Sequence, residues 1–87
     1  MNKVIAVTAN DDFSLDVQFN DGSLKRLDAK PYLDYEVFRE LKDLSYFKRV
    51  GVASGTVQWP HERDISPETL YLEGVVLSVS DNGGGIG

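Results

Sequence analysis

The sequence predicts an α+β fold, a small single domain of antiparallel hairpins with two or three short helices in the order β-β-β-α-β-β-α-(β). Three observations carry this reading. Phe13, Leu15, Val17 and Phe19 alternate with Ser14, Asp16 and Gln18, the period of a strand with one buried and one wet face. Asn20-Asp21-Gly22 and Ser54-Gly55 each separate two apolar runs, as hairpin turns do. Between the hairpins, Val37, Phe38, Leu41, Leu44 and Phe47 recur at spacings of three and four, the period of a helix.

The first strand is expected over Lys3 to Ala9. Its apolar residues fall on both faces (Val4 and Ala6; Ile5 and Val7), which predicts a strand covered on both sides. Asn10-Asp11-Asp12 is a turn cluster. After the alternating strand, Gly22 supplies the positive φ that a tight turn needs, and Ser23 to Asp28 returns as the partner strand. Leu24 and Leu27 are three apart, so both can face the core only across a bulge. Pro31-Tyr32-Leu33 ends that strand. A helix follows over Tyr35 to Phe47 with Asp34 as its expected cap, although Asp43 and Ser45 inside it are equally compatible with two short helices. A second hairpin runs from Arg49 to Trp59 and sets Val52 opposite Val57 and Val50 opposite Trp59. Pro60 stops the strand, and Trp59-Pro60-His61-Glu62-Arg63-Asp64 reads as an exposed loop. Ser66-Pro67-Glu68 opens a short helix that ends at Gly74. Val75 to Val79 is the last expected strand, paired at a sheet edge within the chain or with a second copy in a symmetric homodimer.

At 87 residues the chain holds one domain, which buries about 64% of its unfolded surface. That domain is expected over residues 1–79. Ser80 to Gly87 carries Gly83, Gly84, Gly85 and Gly87 and is expected to be a flexible tail. Phe13, Leu15, Val17, Phe19, Val50, Val57 and Trp59 are the expected core, with Phe38 and Phe47 at core phases of the helical stretch.

Composition excludes several functions. Fourteen acidic residues against nine basic ones give a net charge of −5, a poor balance for nucleic-acid binding. The densest basic pairs, Lys25-Arg26 and Lys48-Arg49, are expected on solvated faces. With no cysteine, a disulfide, a thiolate zinc site, an iron–sulfur cluster and a Cys nucleophile are all ruled out. The apolar run Val4 to Val7 is too short for a signal-peptide core or a membrane span, so a cytoplasmic location is expected, without membrane association.

No catalytic, metal-binding or cofactor-binding residue is expected. His61 is the single histidine. It could act as a base oriented by Asp64, with Arg63 holding an anion, but three charged residues after a proline are ordinary for an exposed loop. Gly83-x-Gly85-x-Gly87 joins no strand to a helix, and the spacing from Asp16 to Gly22 does not make a calcium loop. Tyrosine is an amphipathic anchor common at interfaces, so Tyr32 and Tyr35, with Arg63, are the candidate partner surface.

A series of local features also matches a known family. Phe19-Asn20-Asp21-Gly22, Leu27-Asp28 leading to Pro31-Tyr32-Leu33, Val37-Phe38-x-x-Leu41 and Phe47-x-x-Val50 come first. Gly55-Thr56-Val57-x-Trp59-Pro60 and Asp64-Ile65-Ser66-Pro67-Glu68-x-Leu70-Tyr71 follow. The whole, over about residues 3 to 73, resembles the bacterial domain of unknown function 2442. The resemblance implies a small α+β domain with no established catalytic residues. Some members carry a helix-turn-helix segment after this domain; the sequence ends before one, so none is expected here. The genes often lie beside that of another short protein, in an arrangement like a toxin–antitoxin pair. At position 61 the family pattern more often has Asn, followed by Gly, a departure that argues against a catalytic role for His61. The functional expectation is a non-enzymatic protein-binding module, an antitoxin-like regulator of a small partner encoded nearby. The alternative is a small enzyme or ligand-binding domain using the His61–Asp64 loop.

Overall fold

The computed structural model describes residues 2–78. The expected tail, and Val79 at the end of the last expected strand, lie outside the described residues. Two antiparallel sheets share one core, in the predicted α+β class. The larger sheet has the order β1 (Val4–Ala9), β2 (Ser14–Phe19), β3 (Leu24–Asp28), β7 (Val75–Ser78), and the smaller has β4 (Gly51–Ala53), β5 (Thr56–Trp59), β6 (Arg63–Ile65). The helical elements are 3-10 turns over Lys30–Asp34, Glu36–Lys42 and Pro60–Glu62, α1 (Leu44–Phe47) and α2 (Pro67–Glu73).

From Leu15 onward the alternating strand behaves as its sequence dictates, with Leu15, Val17 and Phe19 buried and Gln18 exposed, but Ser14, expected on the wet face, is buried and its hydroxyl donates to Asp12. Phe13 falls just before the strand with φ of 65°, half-buried against Phe47 at 5.1 Å between ring centroids. The first hairpin turns through Asn20-Asp21-Gly22, with Gly22 at φ 89° and Asp21 accepting from the Ser23 N–H at 2.9 Å. β3 pairs with β2 in unbroken register, Ser14 opposite Asp28 through Gln18 opposite Leu24. No bulge between these strands brings Leu24 to the core. Lys25 shares the inward face with Leu27 instead, and its stem is buried. Its ammonium donates to the Tyr71 carbonyl at 2.5 Å and lies 3.5 Å from the centroid of the Tyr71 ring. The pair Lys25-Arg26 is therefore not a solvated face: Lys25 points in and Arg26 points out.

β1 is not covered on both sides. It is an edge strand whose register with β2 shifts between Val4 and Ala6, and Ile5, at this bulge, is 55% exposed. The Val4 N–H donates to the Gly55 carbonyl at 2.8 Å, which ties this edge to the second hairpin.

The expected Tyr35–Phe47 helix divides at Asp43. Backbone there is extended, and its carboxylate accepts from the Ser45 N–H at 3.0 Å and the Ser45 hydroxyl at 2.8 Å, so it caps α1. Asp34 caps nothing; it ends the preceding 3-10 turn, and Tyr35 occupies the cap position of the next. Ser66 caps α2 as expected, accepting from the Thr69 N–H at 3.2 Å. Gly74 ends α2 in extended rather than left-handed backbone, and a side chain there would stand 2.7 Å from the Leu70 carbonyl oxygen.

The loop expected after Pro60 is instead a third hairpin. β6 pairs with β5, Val57 opposite Ile65 and Trp59 opposite Arg63. His61 and Glu62 make the turn with φ of 71° and 61°, the geometry for which Asn-Gly is the usual sequence. In the second hairpin Val52 lies opposite Val57, but only Val57 is fully buried; Val52 is exposed and Val50 half-buried. The core gathers Val4, Leu15, Val17, Phe19 and Leu27 of the first sheet with Val57, Trp59 and Ile65 of the second. Leu41, Tyr46 and Phe47 close it from the helical stretch, and Leu70 from α2.

A candidate partner groove beside the last strand

The inward-facing side of the larger sheet is occupied by the core, so its chemistry lies on the other side. β3 sets the pattern: with Lys25 and Leu27 inward, Arg26 and Asp28 project outward. Register then places Asp16, Arg26 and Val75 in a row across β2, β3 and β7. The Arg26 guanidinium donates to both Asp16 oxygens, at 2.7 and 3.0 Å. Asp28 accepts from the Lys30 N–H at 3.0 Å, and the Lys30 ammonium stands 3.1 Å from the same carboxylate. That turn carries the chain into Pro31, whose fixed φ suits the start of the 3-10 turn.

The 3-10 turn sets Tyr32 edge-on to Tyr35, with ring centroids 6.1 Å apart, and to Phe38 at 6.2 Å. The Tyr32 hydroxyl donates to Glu73 at the end of α2. Around these groups lies a cleft of about 370 Å³, lined by Leu27, Asp28, Tyr32, Tyr35, Glu73 and Val75 among others. A second cleft of about 380 Å³ adjoins it, shares Arg26, Asp28 and Val75, and continues to Asp12, Lys30 and Leu77. Together they form one groove beside β7. Among the described residues β7 is the last strand of its sheet, and Val75, Val76 and Leu77 are 68%, 52% and 42% exposed.

The groups of the groove are in defined protonation states. The Ser14 hydroxyl holds the Asp12 carboxyl below its usual value. The Arg26 guanidinium does the same for Asp16, and the Lys30 N–H for Asp28. Burial, reinforced by the Glu73 carboxylate, pushes the Tyr32 phenol up to about 12. At neutral pH the three aspartates are anionic and Tyr32 is a hydrogen-bond donor.

The structure brings two of the three candidate surface residues together. Tyr32 and Tyr35 line the groove, whereas Arg63 lies on β6 in the other sheet, with its guanidinium 3.6 Å from Glu40. His61 is beside the same carboxylate, Nδ1 3.9 Å from Glu40, and its ring lies roughly parallel to that of Tyr46 with centroids 6.3 Å apart. The carboxylate nearest His61 is thus Glu40 rather than Asp64. Sequence reasoning missed Arg26, Asp28 and Glu73. The first two had a visible signal in the alternation of β3, obscured by taking Lys25 as solvated. Glu73 had none, because only the return of the chain after Gly74 brings it beside Tyr32.

No helix among the described residues is long and apolar enough to cross a membrane. No curated protein and no solved structure matches the chain. The family model described as a protein of unknown function, DUF2442, matches residues 4–75, and with most of its length so matched the chain belongs to that family.

Proposed function

We propose that the chain is a non-enzymatic, cytoplasmic protein-binding module, antitoxin-like in that it engages a small partner, and that the partner docks along the groove and the outer edge of β7. The observation that carries this reading is the β7 edge. Among the described residues β7 is a terminal strand with three consecutive exposed apolar residues, and such a strand offers backbone donors and acceptors beside hydrophobic surface. Such an edge accepts an added strand, whose main chain supplies affinity while flanking pockets select side chains. The Tyr32–Tyr35 cleft is a flanking pocket of that kind. The net charge of −5 favours a protein over a nucleic acid as the occupant.

Co-expression with the product of the adjacent gene, followed by size-exclusion chromatography, tests the proposal. A stoichiometric complex is expected for the native chain and for H61A, and its loss for the pair V75D and L77D. A complex that survives the β7 pair and is lost in H61A would move the site to the His61–Asp64 hairpin.

A further inference from the structure

We infer that the partner segment is basic and extended: it adds to β7 as a fifth strand and seats a lysine or arginine side chain in the cleft between Tyr32, Tyr35 and Glu73. This rests on the protein-binding reading above and names the chemistry of the partner. The first argument is charge. Four carboxylates, Asp12, Asp16, Asp28 and Glu73, line or adjoin the groove, against two cations, Arg26 and Lys30. Both cations are already paired, Arg26 with Asp16 and Lys30 with Asp28. Glu73 and Asp12 form no ion pair among the described residues: the Tyr32 hydroxyl donates to Glu73 and the Ser14 hydroxyl to Asp12, and neither donor carries a charge. A full negative charge is therefore left at the cleft without a counter-ion.

The second argument is shape and ring chemistry. Tyr35 lines the same cleft, edge to face with Tyr32, and is 58% exposed; a cation over an accessible tyrosine face is attracted by the ring quadrupole. A cleft of about 370 Å³ admits a long side chain. The aliphatic stem of a lysine or arginine would run over Val75 and Pro31, with its charged head at Glu73. The third argument disfavours a second copy as the occupant. Each copy carries the same net charge of −5, so self-pairing at β7 would bring two acidic grooves together.

Two octapeptides serve as probes, one alternating valine and lysine and one alternating valine and glutamate, titrated into the full chain and followed by amide NMR shifts. The lysine peptide is expected to shift Val75–Ser78 and Tyr32–Tyr35 and to bind at least tenfold more tightly than the glutamate peptide. E73Q is expected to weaken it at least threefold. D64N removes the same unit of charge from the other sheet and should leave binding unchanged. Equal losses in E73Q and D64N would reduce the effect to overall charge and overturn the seat. Equal binding of both peptides at β7 would overturn the basic partner while leaving the edge as a docking site. No shift at Val75–Ser78 with either peptide would overturn the docking edge as well. A dimeric mass without peptide, lost in V75D, would make a second copy the occupant and overturn the inference.

Discussion

Trp59 is the most consequential single side chain. It is 1% exposed, its indole N–H donates to the Phe47 carbonyl at 2.8 Å, and its ring lies 5.9 Å from that of Phe47. It thereby joins the second hairpin to α1. Trp59→Ala should cost about 3–5 kcal/mol in urea denaturation, since it leaves a cavity and an unpaired carbonyl. A loss below about 1 kcal/mol would mean that the indole is not a core group. Glu62 is the opposite case. Its φ of 61° is strained for a residue with a Cβ, in a turn that suits glycine at this place. Glu62→Gly should therefore raise stability by about 0.5–1 kcal/mol, visible as a higher urea midpoint, despite the greater freedom of glycine in the unfolded chain. Asp21 gives the pH dependence. The Ser23 hydroxyl, the Ser23 N–H and the Tyr71 hydroxyl hold its carboxyl at about 2, below the ordinary 3.8. A depressed carboxyl contributes its stability above the unfolded value and loses it as pH falls through the folded one. The stability of the native chain should drop between pH 4 and pH 2, and Asp21→Asn should flatten that drop. Parallel profiles for the two proteins would remove Asp21 from the account.

At the scale of elements, Gly74 shows how a glycine can be required without positive φ. Its backbone is extended, yet a Cβ there would meet the Leu70 carbonyl at 2.7 Å and the Lys25 Cβ at 3.0 Å. Gly74→Ala should cost about 1–3 kcal/mol, because α2 or β3 must shift to admit the methyl group. An unchanged midpoint would show that β7 and α2 are loosely joined. β2 was legible from sequence because Leu15, Val17 and Phe19 share the buried face while Gln18 between them is exposed. The hairpin at His61-Glu62 was not, because its positive-φ positions lack the Asn or Gly that signals such a turn. The helical stretch was legible in its period but not in its division. Asp43 caps α1 through Ser45, whereas Asp34, with an equal claim by residue type, ends the preceding 3-10 turn and leaves the cap position to Tyr35. β1 misled because apolar residues on both faces also fit a bulged edge strand. Half of the groove was legible, since tyrosines beside a proline turn stand out; Glu73 was not, because its role depends on tertiary return alone.

Among the described residues the molecule is one core between two sheets, with the β1 edge of the larger sheet tied to the smaller sheet and β7 at the opposite edge. The β1 side is held by the Val4–Gly55 hydrogen bond and by Val57, Trp59 and Ile65 packed among the residues of the first sheet. On the opposite side lie β7 and its groove, where exposed apolar residues, aromatic rings and carboxylates coincide. We propose that a protein partner binds on this side. Hydrogen exchange of the full chain, free and with the product of the adjacent gene, tests it most directly. Partner-dependent protection is expected at Val75–Ser78 and across Tyr32–Tyr35, with the His61–Asp64 hairpin unchanged. Protection confined to the His61–Asp64 hairpin, or no protection at Val75–Ser78 under saturating partner, would contradict the claim.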